Sequence, residues 1–394
     1  MLKNLFVKLI CVLLVSAVAF STIACSGGAK KPSGASDGSY ESVFEDGVIE
    51  DSVEDSSAEP TCEHEWSDAT CQSAKTCALC GAVEGDVGEH EYNNVGACTV
   101  CGHTVYSYDE TGDYLYFGSY PQTRVTDESL IETLSGYAGD LPNFENAGSW
   151  TDYKYWTTNY NGNAVQTENK MWYIDQVFNG EKYRGVYICE YRYIGRTIYQ
   201  EKNGYLANNV YWFKYEPIQW SKYQAGSKVQ YFTTLIIDSQ EYYASMGTRK
   251  DGATTIYPNN YKESYIRSWL NSNFLNLAFS EIEQSIIKTT EVDNSYKTME
   301  YSQYASNYAC ENTMDKIYMF SYGELSYFKM QRKVTDYAMS QGLATSGGIG
   351  LFWLRSPASS DQSTARIVNY QGQITNAGTQ SPEIGVVPVI QLSI

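Results

Sequence analysis

Apolar residues run along this chain in three regimes. Lys3 and Lys8 precede an uncharged run, Leu9 to Ile23, that gives way to small residues. The run is shorter than the ~20 apolar residues of a membrane-spanning helix. A basic start, a short apolar stretch and a small-residue end predict an export signal over residues 1–24. From 25 to 60, Ser, Gly, Asp and Glu dominate, and only Val43, Phe44, Val48, Ile49 and Val53 interrupt them. Such a stretch buries too little surface to offset its ordering entropy, which predicts a disordered acidic linker. Residues 61–104 carry few large apolar side chains and cannot build a core of their own. Only from 105 to 394 do the periodicities of packed elements appear.

In that large segment, Tyr211–Trp220 and Lys228–Ile237 are rich in aromatic and β-branched residues and predict strands. Ile266, Trp269, Leu270, Phe274 and Leu277 recur at helical spacing and predict a helix over 262–279. Ser280 followed by Glu283 is a capping box for the next helix. Thr335 caps a short helix through Met339, which Gly342 stops. Short strand candidates follow at Leu351–Arg355, Ala365–Tyr370, Ile374 and Gly385–Leu392. The expected architecture is α+β, closing on a β-rich C-terminal half.

The net charge is -18, and its distribution matters more than its size. Residues 26–60 contribute -7, residues 61–103 contribute -6, and 104–394 contribute only -7. Acidity therefore belongs mostly to the segments ahead of the large domain. A chain without clustered cations is a poor partner for nucleic-acid phosphate.

The export signal ends in Thr22-Ile23-Ala24-Cys25, followed by Ser26-Gly27-Gly28. This resembles a bacterial lipoprotein signal, although Thr22 stands where Leu is usual. The resemblance implies lipidation of Cys25 and anchoring at the outer face of the cytoplasmic membrane or cell surface. The alternative is a plain secretory signal.

All three His and six of the ten Cys fall between Cys62 and His103. Cys77/Cys80 and Cys98/Cys101 are CxxC pairs, each followed by Gly, the knuckle that points two thiolates at one tetrahedral metal. The expected partition is one site from His64, Cys71, Cys77 and Cys80. The second takes His90, Cys98 and Cys101 with either Cys62 or His103. One or two structural zinc ions would supply the folding free energy that a core does not. Three disulfides are the rival reading for an exported protein, but they leave the confinement of every His to this segment unexplained. The wording TCEHEW…ATCQSAKTCALCGAVEG…GEHEY…ACTVCG resembles zinc-ribbon repeats appended to Gram-positive surface proteins.

FGSYPQT (117–123), YWFKYEPIQW (211–220), NNYKESYIRSWLN (259–271), TDYAMSQG (335–342), WLRSP (353–357) and GVVPVIQL (385–392) follow one order. They resemble an uncharacterised domain family common in Gram-positive surface lipoproteins. The ending, WLRSP then G-V-x-P, is similar to the core of C-type-lectin-like domains related to formylglycine-generating enzymes. That likeness implies a lectin-like fold in which Trp353, Arg355, Ser356 and Pro388 are fold-motif residues. From the residues themselves, Trp353 reads as core, Arg355 and Ser356 as loop-holding hydrogen bonders, and Pro388 as an edge or bulge.

Residues 104–394 contain no His, no GxSxG elbow and no Walker loop. Serine–histidine and cysteine–histidine nucleophile systems are thus excluded from that segment alone. Cys189 and Cys310 read as buried thiols or one disulfide. Calcium-dependent lectin chemistry lacks its usual signature, since Ile218 follows Glu216-Pro217 and Leu270-Asn271 follows Trp269. The expected function is non-catalytic binding of an extracellular glycan or protein, through Tyr-rich loops or the polar stretch 359–382. The alternatives are an envelope spacer without a small ligand and a carboxylate-dependent hydrolase.

Overall fold

The structure, a computed structural model, describes residues 62–143, 146–155, 170–188, 197–244, 247–300, 305–326 and 329–394. The export signal, Cys25, the linker and Cys189 lie outside the described residues. Cys62–Ile394 forms one compact unit. It is mixed α+β, mostly strands with short helices, and among the described residues no helix is long and apolar enough to cross a membrane.

The Cys/His segment is a small antiparallel sheet of Trp66–Ser67, Ala74–Cys77 and Val83–Val87, followed by turns and bridges. Its chain runs on into Tyr106–Tyr108, which pairs with Tyr114–Arg124 in a nine-stranded sheet. The axis of that sheet is the 17-residue strand Asn209–Ala225. It pairs antiparallel with Tyr114–Arg124, Glu181–Ile188 and Lys228–Thr233. Tyr211, Trp212 and Phe213 are buried in succession, so both faces are covered there, and further along Tyr215, Ile218 and Trp220 are buried.

The expected strand Lys228–Ile237 is two strands. Lys228–Thr233 stays in the nine-stranded sheet, and Leu235–Ile236 pairs parallel with Lys333–Val334. The C-terminal strand divides similarly. Gly385–Val386 joins a five-stranded sheet with Phe352–Pro357, while Val389–Ile390 joins the nine-stranded one. Pro388 sits between them, where the missing N–H costs no ladder bond. Its carbonyl accepts from the Thr233 N–H at 3.2 Å.

The helix begins one residue after Ser264, which caps it, and runs Tyr265–Trp269, Leu270–Phe274 and Leu275–Ala278. The middle piece is a π turn, which inserts one extra residue. Ile266, Trp269, Leu270 and Phe274 are buried as expected, while Ala278 rather than half-buried Leu277 takes the last inward position. Both predicted caps form: Ser280 and Glu283 exchange side-chain bonds, and the Thr335 hydroxyl accepts from the Ala338 N–H. The polar stretch around 359–382 is built on a hairpin of Thr364–Val368 and Ile374–Gly378.

Trp150, Trp172, Trp212, Trp220, Trp269 and Trp353 are all buried, as are Tyr120, Tyr205, Tyr242, Tyr261, Tyr318 and Tyr337. The tryptophans of the large segment are thus core among the described residues, and the tyrosines divide between core and surface. The larger cluster lies around Trp220, Phe274 and Trp353, and a smaller one around Trp172 and Trp212. Exposed tyrosines, including Tyr137, Tyr265 and Tyr296, stand on separate elements.

Candidate metal centres

Two strand registers assemble the ligands. Trp66 pairs with Cys77, and the Ala78 N–H donates to the Glu65 carbonyl, so the residues just ahead of Trp66 lie against the first knuckle. This brings Cys62 and His64 to Cys77 and Cys80. Further on, the Gly88 N–H donates to the Thr70 carbonyl at 2.8 Å, setting Cys71 beside the strand that leads to His90. A Cβ on Gly88 would lie 3.1 Å from the Ala69 carbonyl oxygen, so glycine permits that approach.

The two knuckles repeat each other. The Gly81 N–H donates to the Cys77 carbonyl and the Gly102 N–H to the Cys98 carbonyl, both at 2.9 Å. Gly81 and Gly102 both have φ of 74°, in the left-handed region that glycine adopts without strain. Backbone N–H groups also point at sulfur, Leu79 to Cys77 and His103 to Cys101, each at 3.4 Å.

Two ligand quartets result: Cys62, His64, Cys77 and Cys80, and Cys71, His90, Cys98 and Cys101. Within each, the four ligand atoms all lie within 4.8 Å of one another. This corrects the expected pairing, because Cys62 and Cys71 are exchanged and His103 stands outside both sets. His103 instead stacks on His90, with ring centroids 4.8 Å apart.

The separations discriminate between the two chemistries weighed for this segment. Cys62 and Cys77 sulfurs are 3.8 Å apart, and those of Cys71 and Cys98 are 3.7 Å apart. A disulfide requires ~2.05 Å. A tetrahedral ion with ~2.3 Å bonds to sulfur and ~2.0 Å to nitrogen places its ligands at edges of about 3.8 Å (S to S) and 3.5 Å (S to N). His64 Nδ1 lies 3.2 Å from Cys80 Sγ and His90 Nδ1 3.4 Å from Cys101 Sγ. All six Cys of the segment are free thiols, as is half-buried Cys310. Each quartet can hold a metal ion, and with four protein ligands it leaves no open position for substrate.

Without an ion the thiols share their protons unequally. Hydrogen bonding to Cys80, then burial, pushes Cys62 up to about 12. Burial, then Cys101, pushes Cys71 up to about 11. At Cys77 burial acts upward but is outweighed by His64 and the N–H groups of Cys80 and Leu79, which bring it down to about 6. The Cys101 N–H, helped by those of Val100 and by His90 against the effect of burial, also brings Cys98 down to about 6. A bound dication removes this inequality, since a coordinating thiol is deprotonated outright.

The fold-motif residues hold structure together. Trp353 is fully buried and its indole N–H donates to the Gln240 carbonyl at 2.8 Å. Arg355 donates to the Met319 carbonyl and to Glu324, both at 2.6 Å, and to the Asp293 carbonyl at 3.2 Å. Ser356 accepts from the Tyr322 N–H at 2.9 Å and donates to the Thr298 carbonyl at 3.3 Å. Sequence reasoning passed over a second ion pair, buried Arg184 with half-buried Asp175. They face each other in the hairpin of Lys170–Phe178 and Glu181–Ile188, with N–O distances of 2.7 and 2.8 Å. Its signal is the Asn179-Gly180 turn, both residues at positive φ, from which counting outward pairs 175 with 184.

A family model described as "Domain of unknown function (DUF6273)" matches residues 232–394. The motifs from NNYKESYIRSWLN to GVVPVIQL fall inside that span, and FGSYPQT and YWFKYEPIQW precede it. No curated protein and no solved structure matches the chain.

Proposed function

We propose that this chain is an exported lipoprotein, anchored through Cys25 at the outer face of the cytoplasmic membrane, with two structural zinc ions and a non-catalytic, lectin-like domain that binds an extracellular glycan or protein. The observation that carries the zinc reading is the pair of Cys3His quartets at tetrahedral spacing. Zinc suits this donor set because thiolate and imidazole together match its softness and four-coordinate geometry. Full protein ligation assigns the ions a structural role. Binding rather than chemistry is supported by three ion pairs of the large domain whose charges neutralise one another. Arg184 meets Asp175, Arg267 meets Asp315, and Arg355 meets Glu324.

Burial of the aromatic side chains favours a second reading, an envelope spacer without a small ligand. A glycan array and a partner pull-down with the full chain separate the two. Binding that survives washing supports the first reading, and silence on both panels supports the spacer. Turnover of a polysaccharide would instead establish the hydrolase. Mass spectrometry of the membrane fraction should find Cys25 acylated at the mature N-terminus, and an unmodified Cys25 there would overturn the anchor. Elemental analysis should return two zinc ions per chain, and a metal-free protein with no titratable thiol would overturn the metal assignment.

A further inference from the structure

The two metal centres are joined to the large domain unequally. The loop between His90 and Cys98 is folded on Asn93, whose Oδ1 accepts from the N–H groups of Val95 and Ala97, each at 3.0 Å. Gly96 lies within it, buried and with φ of 71°. The chain beyond the knuckle returns along this loop. The Cys98 N–H donates to the His103 carbonyl at 2.7 Å, and the Val105 N–H to the Gly96 carbonyl at 3.0 Å. A Cβ on Gly96 would fall 2.7 Å from Val105 Cγ2 and 3.2 Å from Ile286 Cδ1, so the loop packs directly on those two side chains.

Ile286 is a junction of the large domain. It ends the helix Glu281–Ile286 and is buried in the larger hydrophobic cluster. Its carbonyl accepts from the Ser393 N–H at 2.9 Å, and the Lys288 N–H donates to the Gln391 carbonyl at 2.8 Å. Between them Ile287 pairs with Leu392. In the same helix, Glu283 accepts from the Gly118 N–H at 3.2 Å, in the strand Tyr114–Arg124. The Gly96 loop thus bears on the place where one helix, the nine-stranded sheet and the last residues of the chain meet.

The first centre has a different setting. Its Cys80 is exposed, where Cys101 of the second is half-buried. Leu79 and Val83 around its knuckle are 62% and 66% exposed. Beyond the adjacent residues, no described atom lies within 4 Å of where a Cβ on Gly81 or Gly85 would stand. Since the Cys/His segment has no core of its own, ligation is what keeps each of its loops in shape.

We infer that the second centre, formed by Cys71, His90, Cys98 and Cys101, is a metal-dependent clasp on the large domain. Closure of that quartet holds the Gly96 loop against Ile286 and so keeps residues 391–393 in place, while the first quartet stabilises only its own knuckle. An ion bound by the folded state alone stabilises whatever folds together with its ligands, and for the second quartet that includes the chain end. The clasp rests on the metal reading above and divides the work between the two ions.

The test uses Cys62→Ser with Cys80→Ser, which retains the second ion, and Cys71→Ser with Cys101→Ser, which retains the first. Zinc content, urea denaturation and amide hydrogen exchange at Lys288 and Ser393 are measured with and without a chelator. Tryptophan fluorescence follows the large domain, because seven of the eight Trp lie beyond residue 104. The first variant should match the parent in midpoint and protection until the chelator strips its ion. Protection at both amides should then fall at least about tenfold, with a lower midpoint. The second variant should show that fall from the outset and ignore the chelator. A first variant that loses protection before chelation, or keeps it afterwards, overturns the clasp. Where the second variant cannot be recovered folded, that comparison decides alone. A parent that binds no metal removes the zinc reading and the clasp with it, whereas two bound ions with protection indifferent to the second overturn the clasp alone.

Discussion

Arg355 and Glu324 meet at 2.6 Å between Nη1 and Oε2, across a sequence separation of 31 residues. The same carboxylate oxygen accepts from the Ser321 N–H at 2.8 Å and from its hydroxyl at 3.0 Å, closing the capping box of the short helix Tyr322–Leu325. One ion pair therefore ties the WLRSP strand to that helix and, through the Met319 and Asp293 carbonyls, to two further segments. Arg355→Met leaves half-buried Glu324 with Lys228 as its remaining cation, 3.8 Å from its other oxygen, and should cost about 1.5–3 kcal/mol. Chemical denaturation measures this. Arg355→Lys should recover only part, because an ammonium cannot reach three acceptors in the guanidinium's planar fork.

The same pair sets an acid limit on stability. Burial alone would raise the Glu324 carboxyl, but Arg355 and the Ser321 N–H hold it below the usual range. Asp175 is lowered as well, where Arg184, Lys182 and Tyr215 outweigh burial. A carboxyl depressed in the folded state adds stability above its unfolded value, about 4, and that contribution is lost as pH falls through the lower folded value. Glu324→Gln should therefore be less stable than the parent at pH 7, with the gap narrowing below about pH 4. A gap that stays constant down to pH 2 would contradict this.

The quartets predict how paired substitutions combine. With Cys62 and Cys80 in one set and Cys71 in the other, Cys62→Ser with Cys80→Ser should remove one ion, whereas Cys71→Ser with Cys80→Ser should remove both. The pairing expected from sequence spacing gives the opposite result for the second variant, which would lose one. Metal-to-protein ratios by elemental analysis decide it. His103→Ala should keep both ions, since His103 only stacks on His90.

Metal uptake should be coupled to proton release. Cys62 and Cys71, at about 12 and about 11 in the metal-free clusters, must lose protons to coordinate. Each then contributes about a tenfold rise in affinity per pH unit through the neutral range. Below about 6, Cys77 and Cys98 also take up protons, and the dependence should steepen. A chelator competition at several pH values measures the slope, and a pH-independent affinity between 6 and 8 would count against thiol ligation.

Gly118, in FGSYPQT, has φ of 70°, and a Cβ there would fall 2.5 Å from the Phe279 ring and 2.8 Å from the Ala278 carbonyl oxygen. Gly118→Ala combines a strained backbone with overpacking and should cost about 2–4 kcal/mol. The change is read as a fall in denaturation midpoint with unaltered zinc content.

Some of this was legible along the chain because its cause is local. Ser280 with Glu283 and Thr335 with Ala338 cap helices through atoms three residues apart, and the CxxCG knuckles close on their own backbone. The strands around Trp220 and Trp353 announce themselves by composition. The Asn179-Gly180 hairpin was also written in the sequence, with Asp175 opposite Arg184 following from its register.

The remainder depended on contacts between distant segments. Cys71 joins His90 rather than His64 because the Gly88 N–H reaches the Thr70 carbonyl, and spacing carries no record of that bond. After the π turn Ala278 rather than Leu277 takes the last buried position of the helix, a choice made by what packs against it. Tyrosine abundance suggested an exposed binding surface, whereas packing buries ten of the tyrosines and six tryptophans of the large segment among the described residues. Sequence thus determined which residues cap, turn and ligate, since those interactions close within a few bonds. Only the tertiary structure decided which ligands share an ion, because that is fixed by where separate segments meet.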